Sequence, residues 1–426
     1  MIKVYDFIGI GLGPFNLSLA ALTSNIRDLD GLFFDQKEAF NWHPGLMLES
    51  VHLQTPFMAD LVILADPTHP LSFLNYAKQQ GRLYQFYIRE DFFLMRKEYN
   101  QYCRWVISQL DNCHFGRCVT DIQHDSEQAI YAVKVEHQHK TEIYYCKKLI
   151  LGTGPTPHIP LSTQGMDTTT CFHALEYLDY KPKIQSKKSI TLVGSGQSAA
   201  EIYYDLLQDV DQYQLNWVTR SPRFFPLEYS KLTLEMTSPD YIDYFHELPS
   251  TKRDELNTSQ KGLYKGINTD LINAIYDDLY IKSLDKKLTT DLITNTSIQS
   301  INSSEQGFSL TLRQEEQQQD FHLNTEAVIF ATGFSYQPPR FLSGINHLIL
   351  RDEQGRFQVN REYFIDQDAT IFVQNAELHT HGFTAPDLGM ACYRNSIIIN
   401  QLLGFTFYPV EKQIAFQTFD ARKFSA

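Results

Sequence analysis

The sequence predicts an α/β fold built from two parallel-sheet units with a smaller region between them. The first unit starts with an apolar run and a tight turn containing Gly9, Gly11 and Gly13, after which the apolar spacing becomes helical. The second unit starts in the same way, with Gly194 and Gly196 between an apolar run and a helix. A buried strand that ends in a Thr-Gly turn also occurs in each half. Two such units predict two Rossmann-like folds.

The first glycine turn has the features of a pyrophosphate site. Glycines let the backbone approach phosphates closely, and the N–H groups and dipole of a helix N-terminus favour negative charge. Pro14 suits the first position of that helix. Asp35 ends the next apolar strand, close to the offset of roughly 20 residues at which such folds place a carboxylate for the ribose hydroxyls. The alternative for Asp35 is a surface residue at a strand end.

The second glycine turn predicts a different nucleotide. Gln197 and Ser198 open its helix, and the strand Leu215–Thr219 follows at the corresponding offset. That strand ends in Arg220 and Arg223 and has no acid. Guanidinium groups suit a 2′-phosphate, so we expect NADP rather than NAD at this turn. The alternative is a loop of solvated arginines.

The residues between the two turns predict an irregular segment, then a helix and several strands. Residues 40–76 are rich in aromatic residues and lack a regular period, which favours a packed functional loop. The elements after it are a helix over Glu98–Leu110, strands over Cys113–Ile122, Ile130–Glu136 and Glu142–Cys146, and a buried strand and turn over Lys148–Gly154. Pro155, Pro157 and Pro160 forbid a helix and mark a crossing between domains.

The second half of the chain predicts mixed structure before a closing helix. The expected elements are loops and helices over 226–268, a helix over Thr269–Tyr280, a hairpin of Ser297–Ile301 with Phe308–Leu312, a strand and turn over Glu326–Phe334, a strand over Thr370–Asn375, a polar loop over His379–Pro386 and a helix over Asp387–Leu403.

Charge and hydropathy limit the classes of partner. The net charge of −13, with no basic run, argues against nucleic acid or an anionic membrane as the main partner. No apolar stretch reaches the ~18 residues needed to span a bilayer, and the N-terminus enters a strand without a signal-peptide pattern. We therefore expect a cytoplasmic protein.

The 6 cysteines are scattered without a C-x-x-C pair, which favours reduced thiols, and no metal site is predicted. Cys113 and Cys118 have a spacing found in some flavin disulfide reductases. Their position at the start of a strand favours structural thiols.

Several motifs together resemble the lysine/ornithine N-monooxygenase family of siderophore biosynthesis. They are Gly11-Leu-Gly-Pro-Phe-Asn-Leu-Ser, Phe40-x-Trp-His-Pro-Gly, Leu53-Gln-Thr-Pro-Phe, Ser72-Phe-x-Asn-Tyr, Gly194-Ser-Gly-Gln-Ser-Ala, Phe330-Ala-Thr-Gly-Phe and Thr380-His-Gly. The resemblance runs from the N-terminus to about Gly404, and it is closest to the diamine branch of the family.

The resemblance implies a class B flavin monooxygenase that uses FAD, NADPH and dioxygen. NADPH would reduce FAD, reduced FAD would take up dioxygen as a C4a-hydroperoxide, and the neutral amine of the substrate would attack the distal oxygen to give a hydroxylamine. Residues 1–168 and 322–426 would bind FAD, and 169–321 would bind NADPH, with a substrate segment around 240–285. The family also implies a homotetramer.

The resemblance also assigns site residues by matching motif. Trp42, His43 and Gln54 would form the catalytic surroundings of the flavin, with Gln54 also contacting FAD. Thr380, His381 and Gly382 would close on FAD from the C-terminal side, while the first glycine turn and Asp35 hold its dinucleotide part.

One position departs from the family pattern in a way that bears on the substrate. Members that hydroxylate lysine or ornithine resemble Phe-Leu-Lys-Asp-Leu where this chain has Phe57-Met-Ala-Asp-Leu, so Ala59 replaces the lysine that pairs with the substrate carboxylate. A buried carboxylate without that partner would lose about 3 to 5 kcal/mol. A decarboxylated diamine would lose nothing.

The sequence therefore predicts a putrescine, cadaverine or 1,3-diaminopropane hydroxylase, with putrescine preferred. The alternative is lysine or ornithine. Leu263 falls roughly where ornithine enzymes have an Asn, and Glu377 and Asp387 flank the Thr-His-Gly motif as candidate partners of the distal ammonium or as plain surface charges.

Three rival classes stay open at this point. A flavin disulfide reductase would need Cys113 and Cys118 beside the flavin. A sulfide- or ketone-oxidising monooxygenase would share the two-unit plan, and an NADPH-sensing protein would bind both nucleotides without amine-stimulated oxygen uptake.

Overall fold

The computed structural model describes residues 2–49, 51–160 and 163–424. Its strands are β1 (Val4–Ile10), β2 (Gly31–Phe34), β3 (His52–Pro56), β4 (Phe93–Met95), β5 (Cys113–His114), β6 (Cys118–Asp125), β7 (Ile130–His137), β8 (Lys140–Leu151), β9 (Thr156–Pro157), β10 (Cys171–His173), β11 (Ser189–Val193), β12 (Gln214–Val218), β13 (Thr290–Ile293), β14 (Thr296–Ser304), β15 (Gly307–Gln314), β16 (Gln319–Thr325), β17 (Ala327–Phe330), β18 (Phe334–Ser335) and β19 (Ile371–Val373). Its helices are α1 (Pro14–Thr23), α2 (Phe73–Gln79), α3 (Leu83–Arg89), α4 (Arg96–Ile107), α5 (Tyr177–Ile184), α6 (Gln197–Leu207), α7 (Lys231–Leu234), α8 (Pro239–Glu247), α9 (Ser250–Ser259), α10 (Thr269–Ser283), α11 (Leu378–His381) and α12 (Ala391–Leu403).

The first sheet carries the first glycine turn at its centre. Its order is β5-β2-β1-β8-β7-β6, and β19 also pairs with β8. Strands β5, β2, β1, β8 and β19 run parallel, whereas β7 and β6 extend the sheet in antiparallel fashion. Helices α1, α4 and α12 cover one face, and residues from 342–376 cover the other. Because both faces are covered, the inner strands are almost entirely apolar.

The second sheet carries the second glycine turn. Its order is β10-β17-β11-β12-β13, and every pair is parallel. Together the two sheets confirm the predicted α/β fold with two Rossmann-like units.

The predicted boundary at residue 322 is wrong for one strand. Strand β17 hydrogen-bonds between β10 and β11, so it belongs to the second sheet, and residue 322 lies within β16. The chain leaves the second sheet only after Phe330. Local pattern could not show this, because a buried apolar strand fits the middle of either parallel sheet.

Several predicted elements differ in extent. The predicted strand Cys113–Ile122 is divided into β5 and β6 around Gly116, whose φ is +64°. The strand Glu142–Cys146 and the strand at Lys148 form one strand, β8. The hairpin near Ser297 is confirmed as β14 and β15, with a third strand, β16, that the sequence did not reveal.

The irregular segment 40–76 is an ordered loop, as expected. It contains β3, the start of α2 and two short 3₁₀ turns at Pro44–Leu46 and Phe57–Ala59. Asp60 is 1% exposed and accepts hydrogen bonds from the backbone N–H groups of Val62, Ile63 and Phe73. These bonds hold the loop in shape, although burial raises the pKa of Asp60 to about 6.

Within the described ranges, no helix combines the length and the apolar character needed to cross a bilayer.

Candidate functional site

The first glycine turn leaves room for a phosphate at the start of α1. Gly11 has φ +89°, and a Cβ there would lie 2.4 Å from the carbonyl O of Gly152. Gly13 is the N-cap of α1, and a Cβ on it would meet nothing within 4 Å. Pro14 is the first helical residue, as expected. The open N-terminus and the close backbone contact fit the pyrophosphate of FAD.

Asp35 follows β2 and is fixed by the backbone around it. Its Oδ2 accepts from the N–H of Leu12 at 2.7 Å, and its Oδ1 accepts from the N–H of Lys37 at 2.8 Å. The carboxylate therefore lies beside the turn. Gly9 has a packing role instead, since a Cβ there would lie 2.3 Å from the ring of Phe33.

A buried asparagine stabilises the first turn. Asn16 is fully buried and donates to the carbonyl O of Gly11 at 2.7 Å, while its Oδ1 accepts from Gln374 at 2.6 Å. This contact joins the turn to the chain beyond β19. The sequence motif contains Asn16, but nothing local identifies Gln374 as its partner.

The second glycine turn repeats the geometry of the first. Gly194 has φ +146°, and a Cβ there would lie 2.2 Å from the carbonyl O of Ala331. Gly196 is the N-cap of α6, and Gln197 and Ser198 form its first turn. The open helix N-terminus fits the pyrophosphate of NADPH in the same way.

Two lysines from a second segment, Lys261 and Lys265, lie near Arg220, which follows β12. Burial lowers the pKa of Lys265, and the charges of Lys261 and Arg220 lower it further, so these groups lie close together. Arg220 and Arg223 are exposed. The sequence suggested the arginines; the two lysines come from the loop before α10, and only the tertiary structure brings them here.

Gln54 lies where the two units meet. Its Nε2 donates to Oδ1 of Asn268 at 2.9 Å and to the carbonyl O of Gly266 at 3.3 Å, and lies 3.4 Å from Oε1 of Gln197. The expected catalytic glutamine therefore contacts the first turn of α6 and the segment before α10.

Trp42 and His43 lie in the loop before the first 3₁₀ turn. The ring of Trp42 packs edge-on against Tyr99 at 5.3 Å and lies 4.9 Å from the ring of His43. His43 has φ +50°, a strained conformation for a residue before proline. Burial lowers the pKa of His43 to about 4, so it is neutral at pH 7.

The Thr380-His381-Gly382 segment is helical at first, so the predicted polar loop is wrong here. His381 is fully buried, stacks on Tyr363 at 4.5 Å, and its ring nitrogens contact Thr380 Oγ1 and the carbonyl O of Arg361. Its side chain is fully engaged within the protein. The ring nitrogens of His381 are therefore not available to FAD, and Gly382 bends the backbone after it with φ +67°.

Ala59 and Asp387 belong to two 3₁₀ segments that pack against each other. Ala59 is 6% exposed and ends the 3₁₀ turn that packs against the 3₁₀ turn Leu388–Met390. Asp387 caps this second turn through the N–H of Gly389 at 2.8 Å. Burial raises the pKa of Asp387. Burial raises the pKa of Tyr229, and the charge of Asp387 raises it further, so this tyrosine is a neighbour of Asp387 that the sequence did not indicate. The ring of Tyr229 lies 6.0 Å from that of Phe93.

Glu377 does not fit the role expected of it. It is fully buried, and its Oε1 lies 2.9 Å from an Nη atom of Arg394, which is 1% exposed. A carboxylate paired with a buried guanidinium is not available to a substrate ammonium. Leu263 packs against Tyr241, Phe245 and Phe383 at the edge of a small apolar cluster.

The cysteines do not form the redox pair that a disulfide reductase needs. Cys113 and Cys118 are free thiols on separate strands, and burial raises the pKa of Cys113 to about 12. A reactive thiol requires a lowered pKa. This observation argues against the disulfide reductase.

Comparisons with known proteins agree with this arrangement. Residues 3–336 match the family model of L-lysine 6-monooxygenase/L-ornithine 5-monooxygenase. The chain is 54% identical to a putrescine N-hydroxylase of Shewanella oneidensis, over 98% of this chain and 84% of that one, and 48% identical to a putrescine N-hydroxylase of Acinetobacter baumannii, over 98% and 94%.

A solved structure is similar along the whole length of the chain. The FAD-bound cadaverine monooxygenase DfoA of Erwinia amylovora superimposes with a TM-score of 0.96 at 56% identity, over 98% of this chain and 99% of that one. With two Rossmann-like units, the matching motifs and these relatives, the chain belongs to the L-lysine 6-monooxygenase/L-ornithine 5-monooxygenase family.

Proposed function

We propose that this chain N-hydroxylates one end of a short aliphatic diamine, with putrescine preferred, to give an N-hydroxydiamine for hydroxamate siderophores. The amine, dioxygen, NADPH and a proton give the hydroxylamine, water and NADP⁺. One N–O bond forms, the O–O bond breaks, and NADPH supplies two electrons. The relatives at 48% to 56% identity are named for putrescine and cadaverine, which supports a diamine.

The observation that carries the proposal is that the 3₁₀ turn ending at Ala59 packs against the turn that Asp387 caps. A substrate with an α-carboxylate needs a cation at position 59, where this chain has a small apolar residue. Asp387 caps the neighbouring 3₁₀ turn, and its carboxylate suits the distal ammonium of a diamine. Glu377 is excluded by its ion pair with Arg394. The local charge balance therefore favours a diamine, with a charged distal ammonium and no carboxylate, over an amino acid.

Each of the two nucleotides binds at one of the two glycine turns. The first turn and Asp35 hold FAD, which supplies the activated oxygen once it is reduced, and the second turn with Arg220 and Lys265 holds NADPH. Gln54 lies between them, where it orients groups that enter from either side. Trp42 and Tyr99 form an apolar wall that keeps bulk water from this region.

The reacting amine has to be neutral. A free amine has a pKa of ~10.4, so only a small fraction is neutral at pH 7. The neutral ring of His43 adds no positive charge to the loop that would oppose binding of the second, charged end.

A substrate panel tests the proposal. Hydroxylamine product is measured, rather than NADPH consumption, with diamines of three, four and five carbons, lysine and ornithine. Diamines should give the best turnover. Preferred turnover of ornithine or lysine would contradict the proposal, and thioether or ketone oxidation would point to the rival monooxygenase.

The variant Ala59→Lys tests the charge argument directly. The new cation would face the substrate ammonium and pair with Asp387, so KM for putrescine should rise by about tenfold or more, since ~1.4 kcal/mol corresponds to tenfold. Met58→Lys is the matched control, because it adds the same charge at the adjacent position, where the side chain is 47% exposed. Equal effects of both variants, or unchanged kinetics of Ala59→Lys, would place residue 59 outside the substrate site.

We also propose that the protein is a cytoplasmic homotetramer. Helix α10 and its C-cap residue present four exposed apolar side chains, at 60% to 68% exposure: Tyr276, Tyr280 and Ile281 in the helix, and Leu284 at the cap. Exposed apolar patches mark protein–protein contacts. Light scattering after size exclusion gives the mass, and a monomer at micromolar concentration would contradict this part of the proposal.

A further inference from the structure

A buried ion pair joins the NADPH helix to the FAD-binding unit. Arg96, at the start of α4, reaches across to Glu201 on α6, with Nη1–Oε2 and Nη2–Oε1 distances of 3.1 and 2.9 Å. The side chains are 11% and 3% exposed. Arg96 also donates to the carbonyl O of Leu46 at 2.7 Å. Two parallel N–H···O bonds give this contact a fixed geometry.

Glu201 also accepts a hydrogen bond from Gln197, the first residue of α6. Gln197 lies one turn earlier on the same helix, and its Nε2 donates to Oε1 of Glu201 at 3.0 Å. This bond fixes which end of the amide points away from Glu201. The free Oε1 of Gln197 accepts from the backbone N–H of Asn268 at 2.9 Å.

The network ends at Gln54. The side chain of Asn268 accepts from Nε2 of Gln54 at 2.9 Å, and Gln54 also lies 3.4 Å from Oε1 of Gln197. The order of contacts is therefore Arg96, Glu201, Gln197, Asn268 and Gln54. The first and last residues of this network, Arg96 and Gln54, belong to the FAD-binding unit, whereas Glu201 and Gln197 lie on α6 of the NADPH-binding unit.

We propose that Glu201 is a positioning residue that sets the orientation of Gln197 and, through it, of Gln54 and Asn268 between the two nucleotides. Glu201 need not touch substrate or cofactor for this purpose. In Glu201→Gln one amide oxygen replaces the two carboxylate oxygens that Arg96 and Gln197 share, so Gln197 loses its fixed acceptor. Arg96 is then buried without its anion, which loosens α6 against the FAD-binding unit.

The consequence is a loss of coupling between NADPH oxidation and amine hydroxylation. When the groups between the nucleotides lose their orientation, water reaches the reduced flavin site and dioxygen is released as hydrogen peroxide instead of being transferred to nitrogen. Electrons still balance, because each NADPH then reduces one dioxygen to one hydrogen peroxide. The coupling part of the inference rests on the proposed amine hydroxylation.

The test uses Glu201→Gln in the full-length holoenzyme, with hydroxylamine and hydrogen peroxide measured per NADPH. We expect the hydroxylamine fraction to fall at least threefold. Asp205→Asn is the matched control, because Asp205 lies one turn further on α6 and pairs with Lys181 of α5 at 2.7 Å, within the NADPH-binding unit. Asp205→Asn should keep the wild-type ratio.

A second readout does not depend on activity. The backbone N–H of Asn268 donates to Gln197, so hydrogen exchange at this amide should quicken at least tenfold in the Glu201→Gln apoprotein and stay unchanged in Asp205→Asn. The double variant Arg96→Gln/Glu201→Gln buries no lone charge and controls for simple misfolding. We expect it to melt like the wild type and still lose coupling.

The outcomes separate the two proposals. Wild-type coupling and wild-type exchange at Asn268 in Glu201→Gln would overturn the inference, as would equal losses in Asp205→Asn. If the wild-type protein makes no hydroxylamine from any amine, the proposed function fails, and the exchange measurement alone then decides the role of Glu201.

Discussion

The two glycine turns share a backbone but differ in the residues around them. At Gly11 and at Gly194 the missing side chain lets a neighbouring carbonyl approach, and a Cβ would lie 2.4 Å and 2.2 Å from it. The partner carbonyl belongs in each case to the strand and Thr-Gly turn of the same unit, at Gly152 and Ala331. The turn geometry thus provides a dinucleotide site twice, without determining which dinucleotide binds.

The difference arises beyond the turns. In the first unit, Asp35 is held by backbone N–H groups beside the turn, whereas in the second unit Arg220 is exposed and close to lysines from another segment. A fixed carboxylate suits ribose hydroxyls, and exposed cations suit an added phosphate. On the proposed assignment, the same backbone turn binds two different cofactors because the charges next to it differ.

The largest effect should come from filling the two turns. Gly11→Ala and Gly194→Ala each put a Cβ against a backbone oxygen at a positive φ, so each turn should distort at a cost of at least about 2 kcal/mol. Gly11→Ala should purify without bound flavin absorbance. Gly194→Ala should keep FAD but lose rapid reduction by NADPH. Loss of FAD in both variants would show that the turns do not act separately.

The charge next to the second turn should have an intermediate effect. Arg220→Ala removes a charge-assisted contact to the 2′-phosphate, worth about 1.5 to 3 kcal/mol, so KM for NADPH should rise roughly tenfold to a hundredfold. KM for NADH should stay as it is, because NADH has no such phosphate. Arg223→Ala is the comparison on the same loop. If both coenzymes weakened equally under Arg220→Ala, the cationic cluster would serve the pyrophosphate instead.

The smallest effect concerns His43, the half-buried histidine of the first unit. The folded protein holds the pKa of His43 at about 4, below its ordinary value of 6.5, so the neutral form is favoured on folding. This contribution to stability is complete above pH 6.5 and is lost as the pH falls towards 4. Denaturant unfolding should show a shallower decline over that range for His43→Gln than for the wild type. His347→Gln, at an exposed histidine, is the comparison variant, and identical slopes for His43→Gln and the wild type would contradict the lowered pKa of His43.

Local patterns predicted most of the elements that surround the nucleotides. Both strand–turn–helix units and the helix near Thr269 depend on spacing within about 20 residues, which the sequence displays directly. Strand β17 was assigned to the wrong unit because a short apolar strand fits either sheet. His381 was expected at the flavin from its motif, but its side chain is engaged by Thr380 and Arg361 inside the protein.

The sequence by itself predicted two dinucleotide sites, and it showed that the second has arginines in place of an acid and that position 59 lacks a cation. These properties follow from residue type and short spacing. Only the tertiary structure decided that Glu377 is paired with Arg394, that the turn of Ala59 packs against the turn capped by Asp387, and that Arg96, Glu201 and Gln54 belong to one network. The physical reason is that a charge acts on what lies within a few ångströms, and these partners are distant along the chain.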